Sequence, residues 1–135
     1  MIQPKIEYDK LTTGYEFAPA SFKLDREMVT AYLKATEDKT GLYKESRIIP
    51  PMAIAALAMA ALLTGLSLPP GTIHVSQELE FIDIANIGEP LTSYARVSRK
   101  VERGKLHMLT IGINVLGQKK TAVITGEFGF ILPPS

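Results

Sequence analysis

The chain has 135 residues, a length that suits one domain with a sizeable core, so we predict a single domain over residues 1–135. Its net charge is +1, from 15 basic and 14 acidic residues, which argues against a dedicated binder of nucleic acid or membranes, since such proteins carry a clustered basic excess. Cysteine is absent, which excludes disulfides and thiol catalysis and fits a cytoplasmic protein; we expect no metal and no cofactor.

The first predicted elements are an arm, a strand and an amphipathic helix. Residues 1–13 are polar and charged and are predicted to form an N-terminal arm. Residues 15–24 are the predicted first strand, with an edge position or a kink at Pro19. Asp25 is a predicted N-cap for a helix over residues 25–37. Apolar side chains recur there at helical spacing, namely Met28, Val29, Tyr32, Leu33 and Ala35.

The most informative stretch runs from Pro50 to Leu63 and contains no charged or polar side chain. A helix that is apolar all round has no face for water, so this one is predicted to be buried on every side. Its 14 residues are too few to cross a bilayer, which takes about 18–20. Pro51 fits the start of the helix and Gly65 its end. A charged, irregular link over residues 38–49 leads into it.

The remainder of the chain is strand-like. Residues 73–81 alternate apolar and polar side chains, which is typical of a half-buried strand. Further strands are predicted over residues 91–102, 105–116 and 119–132, and the four together are predicted to form a meander. The pattern indicates an α+β fold in which a long antiparallel sheet wraps around a buried central helix. A second copy would cover the open edge and concave face of such a sheet, so we expect a dimer.

Several short motifs are similar in order and spacing to those of a known family. They are Leu11-x-x-Gly14-x-x-Phe17, Asp25-x-Glu27 at a helix start, Glu89-Pro90-Leu91 after Gly88, and Leu116-Gly117-Gln118 before the last strand. With the predicted layout, they resemble the MaoC-like hydratase/dehydratase family, which has the hot-dog fold. The resemblance implies a lyase of fatty acid metabolism that acts on enoyl or 3-hydroxyacyl thioesters of CoA or acyl-carrier protein.

In active members of that family, a motif Asp-x-Asn-Pro-x-His follows the first helix, and its Asp and His move the protons of the reaction. The corresponding segment here begins at Asp38 and ends at Tyr43, so tyrosine replaces the histidine. An unperturbed tyrosine has a pKa of about 10 and is a poor general base at neutral pH. The resemblance thus implies Asp38 and Tyr43 as the candidate catalytic residues.

Active members also bind the thioester oxygen with a backbone N–H at the start of the central helix, where a His-Gly pair stands. Here Pro50 and Pro51 take that place, and proline has no N–H. The nearest remaining donors are Met52 and Ala53. The resemblance therefore implies a substrate-binding role for Pro51, Met52 and Ala53 at an altered oxyanion site.

These substitutions resemble the N-terminal, often non-catalytic type of MaoC domain, which pairs with a catalytic half. We favour an accessory, acyl-binding subunit that forms a homodimer, or a heterodimer with a catalytic MaoC-like subunit. The alternatives are a self-sufficient hydratase/dehydratase that uses Asp38 and Tyr43, a hot-dog thioesterase, and a non-enzymatic acyl-binding dimer. The thioesterase is disfavoured because no Asp or Glu lies between Met52 and Leu68, where that chemistry needs a carboxylate.

Overall fold

The computed structural model describes residues 4–43 and 46–134 and has an α+β architecture, as predicted. No helix in these ranges is long and apolar enough to span a membrane. In chain order the elements are β1 (Ile6–Glu7), a short 3-10 helix (Tyr8–Lys10), β2 (Ala20–Phe22), α1 (Arg26–Ala35), α2 (Pro51–Gly65), β3 (Leu66–Ser67), β4 (Ile73–Phe81), β5 (Leu91–Arg103), β6 (Leu106–Leu116) and β7 (Ala122–Leu132).

The main sheet has five antiparallel strands in the order β2-β5-β6-β7-β4. Strands β5, β6 and β7 follow one another as the predicted meander. The prediction is wrong for β4, which pairs with β7 and forms an edge of the sheet instead of lying beside β5. The physical reason is the connection over residues 82–90, which is longer than a hairpin loop of about 2–5 residues and carries the chain past β7 and β6 to β5. Its first residue, Ile82, donates a 2.8 Å backbone hydrogen bond to Val123.

Helix α1 begins at its predicted cap, because an Asp25 carboxylate oxygen accepts the Met28 N–H at 2.8 Å. The strand predicted over residues 15–24 is much shorter in the structure. Only Ala20–Phe22 pairs continuously with β5, and Glu16 forms an isolated bridge to Arg96. Pro19 separates the two, since it has no N–H to offer to the neighbouring strand.

Helix α2 spans the predicted segment, but its burial differs from the prediction. One side is buried in the core through Ala53, Ile54, Ala55, Ala58 and Leu62. The other side is open: Met52 is 43% exposed and Leu63 is 38% exposed. The prediction of burial on every side is therefore wrong for the single chain, because one sheet can cover only one side of a helix.

The described part of the N-terminal arm packs against the rest of the chain. Strand β1 pairs with β3 in parallel, and the side chains of Tyr8 and Leu11 are buried. The Lys100 ammonium donates to the carbonyl oxygens of Tyr8 at 3.1 Å and Leu11 at 3.0 Å. The Tyr8 hydroxyl also donates to a Glu102 carboxylate oxygen at 3.2 Å. These hydrogen bonds hold the described part of the arm against β5.

Candidate functional site

A groove of about 600 Å³ lies beside α1 and brings two of the predicted site residues together. Asp38 and Tyr43 both line it, so the segment that stands for the family motif faces one space. The remaining walls are Arg26, Thr30, Leu33, Lys34, Glu37, Lys39 and Gly41. Neither histidine of the chain is among the lining residues.

Asp38 is exposed and follows α1 directly, where its N–H bonds to the Leu33 carbonyl oxygen at 2.9 Å. One of its carboxylate oxygens accepts two hydrogen bonds from Thr40, from the hydroxyl at 2.7 Å and from the backbone N–H at 2.9 Å. The Thr40 hydroxyl, followed by the Thr40 N–H, lowers the pKa of Asp38 below its ordinary value. A carboxylate with a lowered pKa holds a proton less well and is a weaker general base.

The start of α2 offers few hydrogen-bond donors. Pro50 and Pro51 have no N–H, and the Ala53 N–H donates to the Pro50 carbonyl oxygen at 3.0 Å. The Met52 N–H has no acceptor in residues 4–43 and 46–134. Met52 is therefore the donor that remains at this helix end, where the helix dipole favours negative charge. Its exposed side chain leaves this end of α2 accessible.

The start of α2 is separate from the groove beside α1. None of Pro51, Met52 and Ala53 lines that groove. The structure of the single chain thus groups Asp38 with Tyr43 and leaves the predicted oxyanion residues outside their cavity. The substrate-binding role of these three residues stays a prediction.

The β4–β5 connection positions α2, and the sequence analysis missed this support. Ile49 donates its N–H to the Ala85 carbonyl oxygen at 2.9 Å, and Ile48 forms an isolated bridge with Asn86. The Ile87 N–H donates to the backbone carbonyl oxygen of Arg47 at 2.7 Å. The sequence shows only a turn around Asn86, and no local pattern indicates that this turn receives the residues before α2.

Glu89 joins two of the motifs that carry the family resemblance. One carboxylate oxygen accepts the Asn86 N–H at 3.1 Å, and the other accepts the Gln118 N–H at 2.9 Å. A Cβ on Gly117 would stand 2.6 Å from that second oxygen, so glycine leaves room for the carboxylate. The side chain of Glu89 therefore connects the motif at residues 88–91 with the motif at residues 116–118.

Comparison with known proteins gives matches among solved structures. No protein-family model matches the chain, and no curated protein sequence matches it. The (R)-hydratase from A. caviae involved in PHA biosynthesis matches 92% of this chain and 98% of its own, with a TM-score of 0.75 and 24% identity. The MaoC-like dehydratase from Rhodospirillum rubrum matches 95% and 97%, with a TM-score of 0.74 and 18% identity.

A heteromeric protein is also similar. The HadBC (3R-hydroxyacyl-ACP dehydratase) complex from Mycobacterium tuberculosis has a chain that matches 88% of this one and 96% of its own, with a TM-score of 0.71 and 14% identity. These likenesses confirm the hot-dog fold that the MaoC resemblance implied. At such identities they establish the fold, and the activity has to be inferred from the site.

Proposed function

We propose that the chain binds enoyl or 3-hydroxyacyl thioesters as the accessory subunit of a MaoC-like hydratase/dehydratase, and that a partner subunit of the same fold supplies the catalytic Asp and His. The observation that carries the proposal is the state of the segment from Asp38 to Tyr43. The Asp38 carboxylate accepts two hydrogen bonds from Thr40 and has a lowered pKa. No histidine is among the residues that line the groove beside α1.

The reaction chemistry explains why these features favour binding over turnover. Adding water to an enoyl thioester requires a base that takes a proton from water and an acid that protonates C2, and elimination runs the same steps backwards. The negative charge that develops on the thioester oxygen requires hydrogen-bond donors. In this chain the base is weakened at Asp38, the imidazole is replaced at Tyr43, and two donors are lost before Met52.

Features that serve ligand binding are retained. The Met52 N–H lies at the positive end of α2, which suits a carbonyl oxygen. Lys34 and Lys39 line the groove beside α1, and ammonium groups suit the phosphates of CoA or of the pantetheine arm of a carrier protein. These groups support the binding half of the proposed function.

The edge strand β4 supports a partner subunit. It pairs with β7 on one side, and its other side is free among the described strands. Large apolar side chains along it and just beyond it are exposed, namely Ile73 at 59%, Val75 at 44%, Phe81 at 47%, Ile82 at 51% and Ile84 at 59%. An exposed apolar edge strand is a template for pairing with another chain. A second hot-dog subunit at this edge would cover these side chains together with the open side of α2.

The charges on β4 favour a different subunit over a second copy. Glu78 lies directly opposite Glu127 of β7, and Glu80 is two residues further along the same face. Two copies paired through β4 would bring two such carboxylate groups together, and like charges on neighbouring strands are destabilising. A partner whose edge strand carries Lys or Arg would be attracted instead, which supports the heterodimer.

A self-sufficient hydratase/dehydratase is the second candidate. It is favoured by one observation, that Asp38 and Tyr43 share a groove. In that case the Tyr43 hydroxyl would serve as the acid, and Asp38 would hold the water.

Binding measurements test the proposal. We expect crotonyl-CoA to bind the purified chain in calorimetry, and we expect Lys34→Met with Lys39→Met to weaken it by about tenfold, since two charge-assisted contacts are lost. Lys119→Met with Lys120→Met is the matched control, because these lysines lie in the β6–β7 turn, outside the groove. A second subunit of the hot-dog fold should co-purify with the chain from its native cells. Absence of both acyl-CoA binding and a subunit partner would overturn the proposal.

A further inference from the structure

A second pocket of about 540 Å³ lies between the C-terminal half of α2, the region around β2, and β5. It shares no lining residue with the groove beside α1. Its volume falls in the range of about 300–1,000 Å³ that is usual for small-molecule sites. The lining residues are Pro4, Tyr15, Phe17, Ala18, Pro19, Ala20, Ala58, Ala61, Leu62, Thr64, Gly65, Ser93 and Ala95.

The walls of this pocket, which we call the β2–β5 pocket, are uncharged and built largely of small residues. Ala58, Ala61 and Gly65 form the α2 side at a spacing of three and four residues, so they share one face of the helix. Ala20 and Ala95 lie on the strand side. No residue in the lining carries a charge. Small side chains keep the space open, and the absence of charge suits an uncharged ligand.

Ser93 provides the one deeply buried polar group of the pocket. It is 5% exposed, and it is the buried polar residue of the described core. Its hydroxyl has no hydrogen-bond partner within residues 4–43 and 46–134. In the same ranges, every side-chain oxygen or nitrogen that is fully enclosed has a partner, so the Ser93 hydroxyl is not fully enclosed. The Ser93 hydroxyl is therefore reached through the pocket that it lines. A hydroxyl can donate one hydrogen bond and accept two, and leaving it unpaired in an apolar place is unfavourable.

We propose that the β2–β5 pocket binds an uncharged aliphatic molecule whose single hydroxyl or carbonyl oxygen bonds to Ser93. The alanine side chains of α2, β2 and β5 accept the hydrocarbon part, and the Ser93 hydroxyl fixes the position of the oxygen. A carboxylate is rejected, because burying a charge without a partner is far more costly than burying a neutral oxygen. This site is independent of the proposed function, since it uses neither Asp38 nor the start of α2.

Amide NMR of the full chain during titration with 1-octanol tests the proposal. We expect saturable shift changes at residues 58–65 and 93–95, and weaker binding of octanoate at pH 8 by at least about tenfold. Changes that centre on the α1 groove or on β4, equal binding of octanoate, or no saturable change would overturn it.

Two variants sharpen the test. Ala61→Phe fills the pocket and should abolish octanol binding, whereas Ala31→Phe, on the exposed surface of α1, should leave it unchanged. Ser93→Ala removes one oxygen and should weaken octanol binding by about twofold to tenfold, the equivalent of one hydrogen bond. If Ala61→Phe prevents folding, Ser93→Ala still tests the proposal. Unchanged affinity in Ser93→Ala would contradict the assignment.

Discussion

Two hydrogen bonds from Thr40 lower the pKa of Asp38, whose side chain lines the groove beside α1. The Thr40 hydroxyl, at 2.7 Å, is the largest cause of the lowered pKa of Asp38. Thr40→Val removes this hydroxyl and leaves the backbone N–H in place, so the pKa of Asp38 should rise towards its ordinary value. Carboxyl carbon shifts followed through an acid titration measure it.

Thr36→Val is the control for this change. The Thr36 hydroxyl donates to the carbonyl oxygens of Tyr32 and Leu33, and it is not among the groups that lower the pKa of Asp38. Thr36→Val should leave the pKa of Asp38 unchanged. A pKa of Asp38 that does not move in Thr40→Val would show that the hydroxyl is not its cause.

Tyr8 predicts how stability depends on alkaline pH. Burial, assisted by the Glu102 carboxylate, raises the pKa of Tyr8 to about 12. In the unfolded chain a tyrosine ionises near pH 10, so above about pH 10 the unfolded state loses a proton that the folded state keeps. The free energy of unfolding therefore falls between about pH 10 and 12, and this contribution is fully present below pH 10.

Tyr8→Phe isolates that contribution. At pH 7 the variant should be less stable by about 0.5–1.5 kcal/mol, because the hydrogen bond to Glu102 is lost. In urea unfolding at about pH 11 the difference should shrink, since the variant has no phenol to ionise. Tyr94→Phe, at a position 43% exposed, is the control for removing a phenol hydroxyl elsewhere on β5. A constant difference between wild type and Tyr8→Phe at both pH values would contradict the assignment.

Local sequence predicts single residues well when their partners are close in the chain. The Asp25 cap was found because its acceptor role needs only Met28, three residues on. The pair formed by Tyr8 and Glu102 could not be found, because 94 residues separate them. Ser93 looked like an ordinary strand residue, since its burial and lack of a partner depend on α2.

At the scale of elements, propensity and periodicity predicted α1, α2 and the four long strands. The position of β4 could not be predicted, because strand order depends on where a nine-residue connection leads. A β-bulge also interrupts the regular alternation of side chains between the two faces of a strand. A register shift between Val97 and Arg99 places Val101 opposite Met108 and sets Lys100 opposite the buried Leu109. In a regular strand Val101 would share the face of Val97, and one extra residue reverses that.

Gly126 fixes the approach of β4 to β7. A Cβ at this position would collide with the Glu78 carbonyl oxygen and stand 2.8 Å from a Leu79 methyl carbon. Gly126→Ala should therefore lower the free energy of unfolding by about 1–3 kcal/mol and weaken the β4 edge. Gly112→Ala is the control, because its nearest atoms would be 3.8 Å away. Urea unfolding that shows equal losses in both variants would contradict this close packing.

For the whole molecule, the exposed apolar edge favours weak self-association in the absence of a partner subunit, and its acidic face opposes it. Ile73→Lys with Phe81→Lys should keep the chain monomeric in sedimentation equilibrium. Leu106→Lys with Met108→Lys changes side chains of similar exposure on β6 and should behave as wild type.

Ionic strength provides a second arm of this experiment. Salt screens the carboxylates of Glu78, Glu80 and Glu127, so self-association of the wild type should strengthen as salt is raised. Self-association that weakens with salt, or that survives in Ile73→Lys with Phe81→Lys, would place the interface elsewhere.

A dimer was predicted from the open edge of the sheet and stays a prediction; the single chain has a free edge at β4 among the described strands and exposed apolar side chains along it. The error about α2 has the same origin. An apolar helix must be covered on all sides, and the single chain covers one side. The partner subunit proposed above would cover the exposed side of α2 and remove this difference between sequence and structure.

Steady-state hydration of crotonyl-CoA by the purified chain, wild type and Asp38→Ala, tests most directly whether this subunit binds without catalysing. We predict bound acyl-CoA but no hydration above the uncatalysed rate in either protein, and activity only after a catalytic hot-dog subunit is added, with Asp38→Ala lowering that activity by less than about twofold. Hydration by the wild-type chain alone that falls by about a hundredfold or more in Asp38→Ala would contradict the accessory role and make Asp38 a catalytic residue.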